Sequence, residues 1–510
     1  MIFKIHYGLW YGALVGIIPF MFNYASEYTG ATGTQHGILY TVLPFIALLA
    51  KPFVCSIADR YDAHHHCLLL FIFLTMIGYG SLVIYPFFPD WTSQHKNLVW
   101  AFYCFAAFLG NTSMCVVNSI GDSLAINSCT RKNISYGQYR LWGPVGFGLF
   151  GAFWGIADQI PHLPPYTPVI ILLIVILTIN MLLLAFWYDK EEFKVLSAVP
   201  ASDGRSESSR QHPPNNYGST GQTNNGQTTT TPLTPTPING SGGGDHTNNQ
   251  LSQSQSNHAE VDDEAAKVEV AKRMKRVNLL LQLGREHKSV FVYIFIFTFC
   301  GLLTGIHWQF FFKYLQKMAD DKKQKFSYIV TLALPVQSLG GELVFFLLAS
   351  RILKRLGASI TLVLCLFSFA ARYLLYAYLI PNVNLYWVLL VELFQGPAFG
   401  LMYCVLTHQA NVYSERIDEI VAKASSSDDI MLRKSLHATL QGILGASFEG
   451  LGLGLGAIIG GRAYDADPIL MWQIAGFGAM AVSSLYLTGT VIVTMLKRSR
   501  GRTTDVELSR

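Results

Sequence analysis

VFVYIFIFTFCGLLTGIHWQFFF, residues 290–312, runs for 23 residues without one Asp, Glu, Lys or Arg. The hydrocarbon core of a bilayer is about 30 Å thick and takes about 20 apolar residues of helix to cross. Backbone amides at that depth find no water, so the segment must bond to itself, and a helix does so. Working outward, similar runs precede it at Ile5–Tyr24, Gln35–Ile57, Cys67–Tyr85, Leu98–Ile126, Leu141–Ile156 and Val169–Tyr188. Others follow at Tyr328–Ala349, Ala358–Ile380, Leu385–Thr407, Leu436–Gly460 and Ile469–Leu496. The expected fold class is therefore an all-α membrane protein of twelve transmembrane helices in two six-helix bundles. Leu141–Ile156 is short enough to merge with a neighbour, which would leave eleven, and the even count is preferred. Composition agrees, because 51% hydrophobic and 14% charged residues over 510 positions exceed what one soluble core needs.

The bundles are expected at 1–189 and 289–497, with a tail at 498–510. Between them, residues 190–263 are rich in Ser, Thr, Asn, Gln, Gly and Pro and cannot offset ordering entropy by burial, so a disordered linker is expected there. The stretch EAAKVEVAKRMKRVNLLLQLGRE (Glu264–Glu286) reads as a basic amphipathic helix over 264–288 that lies on anionic cytoplasmic lipid. Ile5–Tyr24 is too long for a cleaved signal peptide and should remain in the chain. Lys and Arg favour cytoplasmic loops. Placing both termini inside puts fifteen of them on that side, from Arg60 to Arg502, against seven opposite. The net charge of +5 thus reflects topology, and no nucleic-acid partner is implied.

All eight cysteines fall in or beside spans, so no disulfide framework is expected. His64, His65 and His66 are adjacent on a short loop and cannot all converge on one ion, so no metal site is expected. No phosphate-cradling loop, dinucleotide fingerprint, metalloprotease helix or nucleophile elbow occurs. That argues against an enzyme and against ATP-driven transport, leaving an ion gradient, most simply of protons, as the energy source and no cofactor.

Charges inside apolar spans cost a few kcal/mol or more and should face the bundle interior with a partner. Arg372 lies nine residues before Pro381, and Glu392 eight residues after Asn384. At 1.5 Å per residue both sit roughly 12–14 Å below the same ends of adjacent helices, so they can pair. Such a pair can couple proton movement to transport, because burial and a neighbouring cation act oppositely on a carboxyl's proton affinity; equally, it can lock two helices permanently. Asp122 and Arg140 lie toward one side of the membrane and can meet, either around substrate or as a cytoplasmic gate. Glu342 and Glu449 are mid-span candidates for the cavity, with helix–helix contacts as the alternative. His307 and Trp308 can line the cavity too, although a lone His is more often a satisfied interior residue.

Longer motifs refine this. CSIADRYDAHHH (55–66) and LASRILKRLG (348–357) occupy equivalent places in the two halves. The first resembles the conformational loop motif of the major facilitator superfamily: Asp59 and Arg60 match, Cys55 and Asp62 replace its glycines, and histidines replace its fixed cations. YGQYRLWGPVGFG (136–148), VQSLGGELVFFLLASRILKRLG (336–357), ARYLLYAYLI (371–380) and ELFQGPAFGLMY (392–403) resemble the branch of that superfamily containing its domain-containing protein six, the macrophage MHC class I receptor 2 homologue. Bacterial lactose and phenylpropionate permeases are similar more distantly. The resemblance implies the major facilitator fold, and proton-coupled symport of a small polar solute by a monomer using alternating access. It implies proton coupling at Glu392 and Arg372, substrate contact at Arg140 with an acidic partner such as Asp122, and a cavity position for Glu342. Glu449 departs from the branch, which has an uncharged residue there. The branch also keeps open a different reading, a cell-surface receptor that retains the fold without transporting, although such a receptor has little need for intramembrane charges.

Overall fold

Ten helices long and apolar enough to cross a membrane occur among the described residues. The structure is a computed structural model, and it describes residues 2–61, 63–132, 137–157, 160, 162–187, 274, 277–424 and 430–507. The first four helices are α1 (Ile2–Thr29), α2 (Gly33–Ala58), α3 (His64–Phe87) and α4 (Lys96–Ile126). The shorter α5 (Trp142–Ala157) has 16 residues and stays separate from α6 (Thr167–Phe186). The second half begins with α7 (Ser289–Asp321), followed by the 57-residue stretch Phe326–Asn382. Gly357 divides that stretch, because its φ of 72° and ψ of 164° interrupt the helix where an L side chain would be strained. We therefore describe α8 as residues 326–356 and α9 as residues 358–382. The last three are α10 (Leu385–Val421), α11 (Thr439–Ala466) and α12 (Pro468–Leu496). Counting α5, and taking α8 and α9 apart, gives the twelve helices expected. Every regular element among the described residues is helical.

No disulfide joins any two of the eight cysteines among the described residues. The expected linker at 190–263 lies outside the described residues, as does most of the expected interfacial helix at 264–288. Of the latter, residues 277–286 are helical, with Leu279 and Leu283 buried.

Within the first half α1 packs on α5 and α6, and α3 on α4; within the second, α7 packs on α11. The halves meet along α2–α11, α5–α8 and α1–α7. With little hydrophobic drive between helices in lipid, close backbone approach through small residues supplies the packing energy. A Cβ on Gly37 would stand 2.3 Å from the Ala457 carbonyl oxygen, and one on Gly461 2.2 Å from that of Gly33. On the other seam a Cβ on Gly155 would stand 1.8 Å from Thr331 Oγ1 and 2.1 Å from the Ser327 carbonyl oxygen.

These seams are uneven. Let the face where α1 begins be the terminal face, and the opposite one the loop face. At the loop face the Asp465 carboxylate of α11 accepts the Gly33 and Thr34 amides at 2.6 and 2.7 Å and the Thr34 hydroxyl at 2.6 Å, capping α2 across the halves. His36 Nε2 meets Gln309 Oε1 at 2.9 Å, and Asn23 donates to Gln316 Oε1 at 2.8 Å. The Thr41 hydroxyl still reaches the Gly454 carbonyl at 2.8 Å. Beyond that level the contact between α2 and α11 thins to the segment Ala446–Gly452, and among the described residues no comparable packing joins α4 to α10, or residues 430–445 to α2. The inter-half space is closed at the loop face and opens toward the terminal face.

Replacing Asp465 with Ala removes three hydrogen bonds at the closed face. A lost cap costs about 1–2 kcal/mol, a roughly five- to thirty-fold change in an equilibrium. Labelling of a cysteine introduced at Gln309 by an impermeant maleimide should accelerate accordingly, and an unchanged rate would show that the cap does not hold this face shut.

Candidate functional site

Arg372 and Tyr376 lie four residues apart on α9 and project from one helix face; Glu392 and Gln395, three apart on α10, project toward them. Arg372 and Glu392 are both 0% exposed, and Arg372 Nη2 donates to Glu392 Oε2 at 2.5 Å. The remaining guanidinium groups are used as well. Nε donates to the Tyr376 hydroxyl at 2.7 Å, Nη1 donates to Gln395 Oε1, and Nη2 also reaches His307 Nε2 at 3.1 Å. Tyr376 in turn donates to the second oxygen of Glu392. Gln395 then donates to Glu342 Oε1 at 2.8 Å, which links a half-buried carboxylate on α8 to the sealed pair. Burying two charges is tolerable only when both are hydrogen-bonded on nearly every side, and here they are.

Two local features set this geometry. The α8 and α10 backbones touch, since a Cβ on Gly396 would stand 2.5 Å from the Gly341 carbonyl oxygen, and this brings Glu342 beside Gln395. Both helices also switch to π geometry there, over Val336–Leu343 and Gly396–Gly400, with a third π segment at Ala446–Gly452 in α11. Such segments are rare and gather at functional sites. Glu342 lies within the first, Gln395 immediately before the second, and Glu449 within the third.

The first half presents a looser pair. Asp122 accepts the Tyr7 hydroxyl at 2.5 Å and Arg140 Nη1 at 3.5 Å, and both partners of the ion pair are 33% exposed. The Arg140 guanidinium lies 4.9 Å from the Tyr11 ring centroid and 5.6 Å from that of Tyr7, within cation–π range. Asn118 accepts Trp10 Nε1 at 2.8 Å and the Tyr11 hydroxyl at 3.4 Å. Glu449 is exposed, on the third π segment, in α11.

The structure therefore brings Arg372 to Glu392, Glu342 to both through Gln395, and Asp122 to Arg140. His307 and Trp308 diverge: His307 is buried in the sealed network against Phe311 and Tyr376, whereas Trp308 is exposed, with its ring centroid 5.4 Å from that of Phe399. Arg60 is exposed with its guanidinium 5.8 Å from the Tyr61 ring, and the side chain of Asp59 lies outside the described residues. No group of three or more His, Cys, Asp or Glu able to hold a metal occurs among the described residues. Tyr376, Gln395, Tyr7 and Lys51 are absent from the sequence-based candidates. The first two stand at i+4 and i+3 from charged residues that were recognised, and Lys51 is a charge inside an apolar span.

The profile of the MFS_1 like family matches residues 1–474. The chain belongs to that family. Among solved structures, the nucleoside transporter NupG resembles this MFS_1 like chain with a TM-score of 0.58 at 14% identity, covering 96% of this chain and 98% of its own. A bacterial homologue of the human drug peptide transporters PepT1 and PepT2 gives a TM-score of 0.56 at 10% identity, covering 98% of each chain. A POT family transporter in complex with a thioalcohol-conjugated peptide gives 0.57 at 10%, covering 97% of this chain and 96% of its own. At such identities the likeness extends to the fold. Comparison of the sequence with curated proteins gives no match.

Removing one member of a buried pair strands the other's charge, at a cost of about 3–5 kcal/mol. Arg372→Leu in this MFS_1 like protein should therefore lower the thermal midpoint strongly, and adding Glu392→Leu should recover most of the loss. A double variant as unstable as the sum of the singles would show that the two charges do not compensate one another.

Proposed function

We propose that this protein is a secondary active transporter that carries a small polar solute by alternating access, in symport with protons. One observation carries the reading: a molecule closed at one face and open at the other holds a sealed Arg372–Glu392 pair at mid-depth between its spans. Membership of the MFS_1 like family supports it, as do the motifs resembling the branch of domain-containing protein six and the proton-coupled permeases. In this reading both termini are cytoplasmic, in line with the Lys and Arg excess on that side.

The network offers a route for coupling. Arg372 is shared between Glu392, which it touches, and Glu342, which it reaches through Gln395. A proton taken up by Glu392 removes the charge that holds Arg372 and releases the guanidinium toward Glu342. That exchange of partners shifts α8, α9 and α10 relative to one another, since each contributes one of the groups. Arg140 and Asp122, half-exposed on the opposite half, are placed to grip solute, and Arg suits a planar, bidentate partner.

Glu392→Gln keeps a hydrogen-bonding side chain but cannot take up a proton. In reconstituted vesicles it should lose accumulation driven by a proton gradient, while exchange of solute across the membrane stays measurable. Retention of full gradient-driven accumulation would remove Glu392 from the coupling step.

A further inference from the structure

His36 is wholly buried, yet it stands in the first turn of α2, at the face that is shut. Its Nε2 lies 2.9 Å from Gln309 Oε1 of α7. A carbonyl oxygen can only accept, so Nε2 carries the hydrogen and Nδ1 is bare. Nδ1 is buried as well and has no hydrogen-bond partner among the described residues. Around the ring stand aromatic side chains from both halves. Phe22 of α1 stacks on it with centroids 4.9 Å apart, Tyr40 of α2 lies at 4.5 Å, and Phe310 of α7 at 6.1 Å. Tyr464 of α11 completes this plug, 5.3 Å from Phe22 and 5.6 Å from Phe310. Helices α1, α2, α7 and α11 thus close around one imidazole.

The charged groups on the helices packed here are engaged elsewhere or face water. Asp465 of α11 is bonded to Gly33 and Thr34, and Lys313 of α7 to Gln316 at 3.3 Å, while Glu27 of α1 and Arg462 of α11 are exposed. A second proton on the imidazole would therefore create a buried cation whose new N–H meets no acceptor. Because α2 begins here, the positive end of its dipole opposes that cation too. Asp465 offsets the dipole, but its carboxylate already accepts three hydrogen bonds. Aromatic faces attract cations, yet they contribute less than an unpaired buried charge costs. The closed plug thus holds the neutral ring and excludes the imidazolium. Once charged, the ring must turn out to water, which breaks the Gln309 bond and parts the aromatic side chains.

We propose that His36 is a proton-binding latch on the loop face: it takes a proton only when that face is open, so acid opens the face. The closed state binds no proton at His36, whereas the open state exposes an imidazole that takes one at about pH 6.5. A ligand shifts an equilibrium by its differential affinity for the two states. Between about pH 7.5 and 5.5 the ratio of open to closed molecules should therefore rise about tenfold. In the topology proposed above the loop face is extracellular, so this proton comes from outside and binds at a site other than Glu392. The inference rests on alternating access in that reading, and it does not need Glu392 to carry the coupling proton.

The test is the distance between spin labels at Gln94 and Ala466, exposed loop-face positions of the two halves, measured on the full chain in lipid nanodiscs. Attachment through introduced ketone-bearing residues leaves the native cysteines in place. The long-distance population should grow about tenfold relative to the short one as the pH falls from about 7.5 to 5.5. His36→Gln keeps a donor for Gln309 but cannot take up a proton, and it should stay folded and lose the pH response. Gln309→Glu offers the charged ring a carboxylate inside the plug and should suppress the response as well. A response that persists in His36→Gln belongs to another group and would overturn the latch, as would its absence from the chain with His36 intact. A short distance alone at every pH, even in Asp465→Ala, would show that this face never opens and would overturn alternating access, and this inference with it.

Discussion

A charge in the core of a bilayer cannot turn to water, and the second half of the molecule is arranged around that constraint. Arg372 is wholly enclosed, so each of its donor groups must end on protein, and four helices are brought together to meet it. α9 supplies Tyr376, α10 supplies Glu392 and Gln395, α7 supplies His307, and α8 joins through Glu342. Once the guanidinium is fixed, the close contact of Gly341 with Gly396 and the depth of the adjoining helices follow. The same satisfaction could have come from apolar residues at lower risk. Retaining charge there makes sense where the partners must be able to change.

The first half answers the constraint differently. Asp122 and Arg140 are held by a longer contact, share aromatic neighbours and remain a third exposed. Because the pair is not sealed, its protein partners need not be complete. The two halves therefore differ: one keeps a closed polar network, and the other leaves its ion pair partly exposed. The glycine seams of α2–α11 and α5–α8 connect them; the first thins beyond Thr41, whereas the second runs from Gly155 to Pro144, whose carbonyl accepts the Ser338 hydroxyl at 2.7 Å.

Most of the fold was legible in the sequence because the bilayer reduces it to run length. The depth of Arg372 and Glu392 could be counted from Pro381 and Asn384, and that arithmetic was enough to pair them. Gln395 and Tyr376 could have been found by helical spacing from the same two residues, but uncharged side chains give no alarm in a hydropathy reading. Lys51 was hidden between Pro44 and Pro52 in a run otherwise long enough to pass as lipid-facing. The π segments leave no mark in composition, since they arise from how α8, α10 and α11 press on their neighbours. Nor could the one-sided opening be read, because two packings of the same helices differ by only a few kcal/mol.

Among the described residues, π geometry within the spans occurs only in the second half. A π turn holds one residue more than an α turn, and that surplus residue can travel along a helix without unwinding it. Each step of such travel swivels the side chain it crosses by about 100° around the axis. Glu342 and Glu449 both sit on these surplus turns. The twofold likeness of the bundles is thus one of topology: the π segments belong to the second half, while the spans of the first are interrupted instead by 3₁₀ turns at Ile18–Phe20 and Ser81–Phe87.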